Sequence, residues 1–164
     1  MEFCRRHVYA HIPAGCLRFA DGSFFSVEKE VWGELPARMN QCYRLGIDIG
    51  STTVKVAVID DNNKILFADY ERHYANIQET LASLLKKCKG ELGELSLRPN
   101  ITGSGGLTLS GYLHIPFVQE VVAVATALQD YAPRTDVAIE LGGEDAKIIY
   151  FTGGIDQRMN GICA

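Results

Sequence analysis

The sequence predicts an α/β fold with a mixed sheet, and three observations carry that prediction. Residues 45–60, LGIDIGSTTVKVAVID, alternate apolar and other side chains on both sides of a Gly-Ser-Thr-Thr turn, the pattern of a strand hairpin. Ile77, Leu81, Leu84, Leu85 and Cys88 recur at helical spacing. Residues 137–151 then repeat a strand, a glycine turn and an apolar return strand. Strands interrupted by amphipathic helices build a sheet covered by helices.

Taken in order, residues 1–40 carry no sustained period and read as an irregular N-terminal extension, with the strong strand pattern beginning near residue 41. In the first strand Leu45, Ile47 and Ile49 share one face, while Gly46, Asp48 and Gly50 share the other. Val54, Val56 and Val58 form the return strand, and residues 64–70 a third strand of the meander after the turn Asp60-Asp61-Asn62-Asn63. That turn is not a calcium loop, because Ile65 stands where the loop needs glycine and Lys64 where it needs a ligand. The amphipathic helix near residue 77 ends in Lys86, Lys87 and Lys89, cations suited to a helix C-terminus. A short strand at 97–102 enters a flexible loop, Gly103-Ser104-Gly105-Gly106, and a second helix spans about 118–131 with Val121, Val124, Ala125 and Leu128 inside. The last hairpin joins 137–141 to 147–151.

Composition narrows the function classes. The chain has 164 residues, 47% of them apolar, and a net charge of -4, which suits one domain and disfavours a nucleic-acid surface. No apolar run reaches the length of about 18 residues that a membrane span needs, and the start lacks a signal-peptide h-region. These features predict a cytoplasmic protein with neither a nucleic-acid nor a membrane partner. Five scattered cysteines, an odd number, argue against a disulfide framework.

The chemistry concentrates at the two glycine turns. Asp48 is a carboxylate set within a strand, which is costly unless it is paired or binds a metal. Beside it, Gly50, Ser51, Thr52 and Thr53 offer backbone amides and three hydroxyls, and Lys55 follows on the return strand. Glu140 lies near the end of its own strand, before Gly142, Gly143, Glu144 and Asp145. Two such turns at one rim can hold the phosphate chain of a nucleotide: glycines admit close backbone approach, amides and hydroxyls donate to phosphate oxygens, and carboxylates hold Mg²⁺ through its waters. Either turn taken singly is also compatible with a plain hairpin reversal. A Walker loop is absent, and Gly103-Ser104-Gly105 does not make a dinucleotide fingerprint.

The stretch from Asp48 to Lys55, DIGSTTVK, resembles the first phosphate motif of the actin-like ATPase superfamily. Three further stretches follow in order: Thr102-Gly103-Ser104-Gly105, Glu140-Leu141-Gly142-Gly143-Glu144-Asp145 and Met159-Asn160-Gly161-Ile162-Cys163-Ala164. Together the four resemble the ATP-dependent activators of 2-hydroxyacyl-CoA dehydratases and their relatives in benzoyl-CoA reductase, over about residues 43–164. Glu140 replaces that family's Asp and Glu144 its Gln, so the second turn is more acidic. The resemblance implies a ribonuclease-H-like first lobe, with three antiparallel strands plus parallel strands and helices. It implies an ATPase that binds ATP and Mg²⁺, with Asp48 and Glu140 catalytic, Asp48 also at Mg²⁺, and Gly50 to Thr53, Lys55 and Gly142 to Asp145 at the nucleotide. It further implies a homodimer holding one 4Fe-4S cluster, with Cys163 as a ligand, that passes low-potential electrons to an acyl-CoA dehydratase or reductase component. Ala164 precedes the rest of the last motif, so residues 41–164 read as a first lobe truncated before the second, inactive on its own.

Two other functions compete. The same lobe could belong to a sugar or carboxylate kinase, which would leave Cys163 without a role. Cys4, His7, His11 and Cys16 could instead make an N-terminal zinc knuckle, although their spacing does not match one.

Overall fold

The computed structural model describes residues 17–20, 23–27, 42–142, 146–151 and 156–160. Nine strands and three helices are named in chain order: β1 (Leu17–Ala20), β2 (Ser23–Val27), β3 (Cys42–Ile49), β4 (Thr53–Ile59), β5 (Ile65–Arg72), α1 (Ile77–Leu92), β6 (Ser96–Thr102), α2 (Gly106–Leu113), α3 (Glu120–Tyr131), β7 (Val137–Leu141), β8 (Ala146–Tyr150) and β9 (Asp156–Asn160). A six-stranded sheet has the order β2-β1-β6-β3-β4-β5, and β7-β8-β9 form a second, antiparallel sheet.

The meander β3–β4–β5 is antiparallel, and β6 runs parallel to β3, so the main sheet is mixed as expected. The alternation read in the sequence sorts the side chains: Leu45, Ile47, Ile49, Val54, Val56 and Val58 are buried on one face. Against them α1 lays Leu81, Leu84, Leu85 and Cys88, completing the core with Phe67, Leu97, Ile101 and Ile115. Asn76 starts the helix with a reciprocal cap, its side chain accepting from the Glu79 amide and donating to the Glu79 carboxylate. At the far end of the meander, Asp60 Oδ1 accepts from the amides of Asn62 and Lys64; the carboxylate closes its own turn.

Pro99 explains how β6 ends its pairing. The Ile101 amide donates to the Pro116 carbonyl on the side away from β3, and Pro99, two residues earlier, faces the same side. Pairing with β1 covers only Ser96 and Leu97, and the bridge to Phe117 begins at Ile101, so the ring without an N–H falls between the two.

Several expectations are corrected. Residues 17–20 and 23–27, read as irregular, pair as antiparallel strands at the β6 edge; strands of four and five residues are too short to display a period. Helix α2 occupies residues read as loop and beyond. The main sheet remains mixed as expected, its parallel pairing being that of β6 with β3, while β7 takes β8 as its hairpin partner and β1 and Phe117 occupy the free side of β6. Cys42 is disulfide-bonded. An odd cysteine count argues against complete pairing but leaves room for one bridge. No helix among the described residues is long and apolar enough to cross a membrane.

Candidate functional site

The hairpin turn between β3 and β4 brings most of the predicted site together. Asp48 and Lys55 are direct cross-strand partners, and Lys55 Nζ lies 2.7 Å from Asp48 Oδ2. The pair is open to water, with side-chain exposures of 51% for Lys55 and 32% for Asp48. Between the strands, the Gly50 amide donates to the Thr53 carbonyl at 2.9 Å and closes the turn over Ser51 and Thr52. Neither the Ser51 nor the Thr52 amide donates to an acceptor among the described residues, so both can serve an anion.

A second backbone segment backs this turn. Thr102 is the parallel-strand partner of Asp48, and Gly103 follows it with φ +95, in the left-handed region. A Cβ at Gly103 would stand 2.5 Å from Asp48 Oδ1 and would also collide with the Ile49 carbonyl, so only glycine fits. The Gly105 amide donates to the Ile49 carbonyl and the Gly106 amide to the Gly103 carbonyl, both at 2.9 Å. The segment expected to be a flexible loop is therefore a closed turn fastened to the end of β3. Sequence reasoning found its glycines by resemblance, but not their role as the wall behind Asp48. Thr102 belongs to the same motif, but nothing in the sequence showed that its hydroxyl would be buried beside that carboxylate without a hydrogen-bond partner among the described residues. The register of β6 on β3, invisible in sequence, creates both features.

The second turn is only partly described. Glu140 faces Lys147 across the β7–β8 ladder, and its Oε2 is buried without a hydrogen-bond partner among the described residues. Lys147, itself buried, forms an ion pair with Glu120 at the start of α3. Gly142 ends the described part, while Gly143, Glu144 and Asp145 lie outside the described residues. Among the described residues no hydrogen bond or ion pair joins Glu140 to Asp48.

The donor set tests which groups fit. No cluster of three or more His, Cys, Asp or Glu side chains gathers among the described residues. A magnesium ion fits Asp48 only in the form such ions take with nucleotides, ligated by waters and phosphate oxygens and held by the carboxylate through those waters. The described cysteines do not fit an iron-sulfur cluster. Cys42 is bridged, and Cys88 is buried in the core, where desolvation pushes its thiol up to about 11, away from the thiolate such clusters need. Cys163 lies outside the described residues, as do Cys4, His7, His11 and Cys16.

Neither a protein-family model nor a curated protein sequence matches the chain. Solved structures do. Component A of the (R)-2-hydroxyglutaryl-CoA dehydratase of Acidaminococcus fermentans is similar with a TM-score of 0.65 and 24% identity, over 75% of this chain and 49% of that one. The activator of the 2-hydroxyisocaproyl-CoA dehydratase from Clostridium difficile, solved with bound ADPNP, is similar with a TM-score of 0.62 and 24% identity, over 74% and 47%. The ethanolamine utilization protein EutJ from Carboxydothermus hydrogenoformans follows with a TM-score of 0.54 and 16% identity, over 73% and 52%. The chain thus spans about half the length of the solved structures it matches, and the fold it shares with them is the actin-like ATPase fold expected from the sequence.

Proposed function

We propose that the chain is the phosphate-binding part of an ATP-hydrolysing activator that delivers low-potential electrons to an acyl-CoA dehydratase or reductase component. The observation that carries this reading is the exposed Asp48–Lys55 pair, set on a glycine-flanked turn with two free amides and backed by Gly103. An exposed ion pair contributes only about 0–1 kcal/mol, so a nucleotide can exchange it cheaply. Lys55 would then turn to a phosphate oxygen, Asp48 would hold Mg²⁺ through its waters, and the Ser51 and Thr52 amides, with their hydroxyls and that of Thr53, would hold the phosphates. The glycine at position 50 leaves room for that approach. Glu140 is the second catalytic carboxylate in this reading, and its buried, unpartnered oxygen suits a group that awaits a ligand. The turn Gly142, Gly143, Glu144 and Asp145 would close on the phosphates from the other side.

The remaining parts rest on the motif resemblance together with the likeness to the two activators. Cys163 would be a ligand of a 4Fe-4S cluster shared by a homodimer, and the cluster would supply one-electron transfer at low potential. The protein would be cytoplasmic, with residues 41–164 beginning the ATPase and residues 1–40 preceding it. A sugar or carboxylate kinase is not favoured, given the TM-scores of 0.65 and 0.62 to the activators.

Asp48→Ala tests the carrying observation in the full-length protein. ATP hydrolysis should disappear while the circular-dichroism spectrum stays unchanged. Turnover within about tenfold of wild type, a loss of about 1.4 kcal/mol, would remove the assignment.

A further inference from the structure

The turn that presents the free amides is held from below by His73, a residue to which neither the motifs nor the proposed chemistry gives a role. His73 follows β5 and is 8% exposed. Its ring Nε2 lies 3.2 Å from the Gly50 carbonyl oxygen, and its backbone amide donates to the Thr52 carbonyl, also at 3.2 Å. The other ring nitrogen, Nδ1, lies 3.1 Å from the Ala75 amide. A backbone amide can only donate, so Nδ1 must accept, which places the ring proton on Nε2 and makes it the donor to Gly50.

This arrangement is maintained against local backbone preference. Tyr74 and Ala75 both have left-handed φ values, 43 and 67, which side chains other than glycine disfavour. The two residues turn the Ala75 amide back onto Nδ1, and the Asn76 amide closes the same turn on the His73 carbonyl. Asn76 then caps α1. The imidazole is thereby fixed in one tautomer and one orientation.

We propose that His73 is a positioning residue for the phosphate turn: by holding the Gly50 carbonyl with its ring and the Thr52 carbonyl with its backbone, it turns both oxygens inward and leaves the Ser51 amide directed at an incoming phosphate. The reason is the planar trans peptide, in which the carbonyl of one residue and the amide of the next point in opposite directions. No peptide bond among the described residues is cis, so drawing the Gly50 oxygen toward His73 drives the Ser51 N–H the other way. Withdrawing two carbonyl dipoles from the mouth of the turn also removes the partial negative charge that would repel an anion. The inference rests on the nucleotide reading of this turn.

Two substitutions separate the role at the turn from the local fold. Gln places its amide nitrogen near the position of Nε2, so His73→Gln retains the donor to Gly50. Asn places its amide oxygen near Nδ1, so His73→Asn retains the acceptor for Ala75 and loses the reach to Gly50. The experiment follows the Ser51 and Thr52 amide resonances of the ¹⁵N-labelled chain during titration with Mg·ATP into the millimolar range, alongside thermal melting. Wild type and His73→Gln should bind within about threefold of each other, and His73→Asn should melt cooperatively and no lower than His73→Gln yet bind about tenfold more weakly, the loss of one hydrogen bond at the turn. A long-range proton–nitrogen spectrum of wild type should show an unprotonated Nδ1. Binding by His73→Asn equal to wild type, or a proton on Nδ1, would overturn the inference and leave the nucleotide reading standing. A folded wild-type chain whose Ser51 and Thr52 resonances ignore Mg·ATP would overturn that reading, and the inference with it.

Discussion

A single methyl group at position 103 probes the wall behind Asp48. Gly103→Ala places a Cβ against Asp48 Oδ1 and the Ile49 carbonyl at a left-handed φ, so it should cost about 3 kcal/mol in urea denaturation. A change below about 0.5 kcal/mol, the range of ordinary surface substitutions, would show that the wall yields. Cys88 gives a second residue-scale expectation. Burial raises its folded pKa to about 11 from an ordinary value of 9.0, so the folded state holds the thiol proton more tightly than the unfolded chain. Its contribution is complete below pH 9 and is lost as pH rises toward 11, at up to about 1.4 kcal/mol per pH unit. Denaturation at pH 7, 9 and 10.5 should therefore show a steeper alkaline decline for wild type than for Cys88→Ala. Parallel curves would remove the thiol as the cause. For Cys163, substitution by Ser in the anaerobically purified full-length protein should abolish bound iron and spare ATP binding. Unchanged iron would end its role as a ligand.

At the scale of elements, α1 is the keystone of the core. Leu84 is fully buried between the helix and the sheet, and Leu84→Ala should lose about 3 kcal/mol; a loss under about 1 kcal/mol would mean the cavity collapses. Removing the cap with Asn76→Ala should cost about 1 kcal/mol by the same measurement. These elements were legible because burial enforces their periods: Leu45, Ile47 and Ile49 at every second residue, and Leu81, Leu84, Leu85 and Cys88 on one helical face. Helix α2 was not, since Gly106 and Gly111 weaken its propensity and only Gly106 and Ser110 within it are buried. Hairpin β1–β2 went unread although Asp21-Gly22 between two apolar runs is a hairpin signal. The Asp48 turn was legible from its composition. His73 was not, because its partner Gly50 is remote in sequence and only the β4–β5 register brings the two together.

For the whole molecule, exposure of the site predicts weak function by the chain alone. Asp48 and Lys55 keep much of their water, so phosphate contacts at this single wall gain little beyond the cost of association. Calorimetry on residues 1–164 should give an ATP affinity on the order of millimolar, about 4 kcal/mol, and no steady phosphate release. Micromolar binding would show that this part of the fold is self-sufficient. The sheet order carries another consequence, in time. Leu17 pairs with Leu97, so the β1–β2 hairpin, synthesised before β6, has no edge to join until β6 has left the ribosome. At roughly 5–20 residues per second that delay lasts on the order of several seconds, during which a lone two-stranded ribbon is marginal and its backbone is open to chaperones. The meander β3–β4–β5 is complete by then, so the six-stranded sheet grows outward from its middle, and β1 and β2, although translated before their partner, are the last of its strands to be installed.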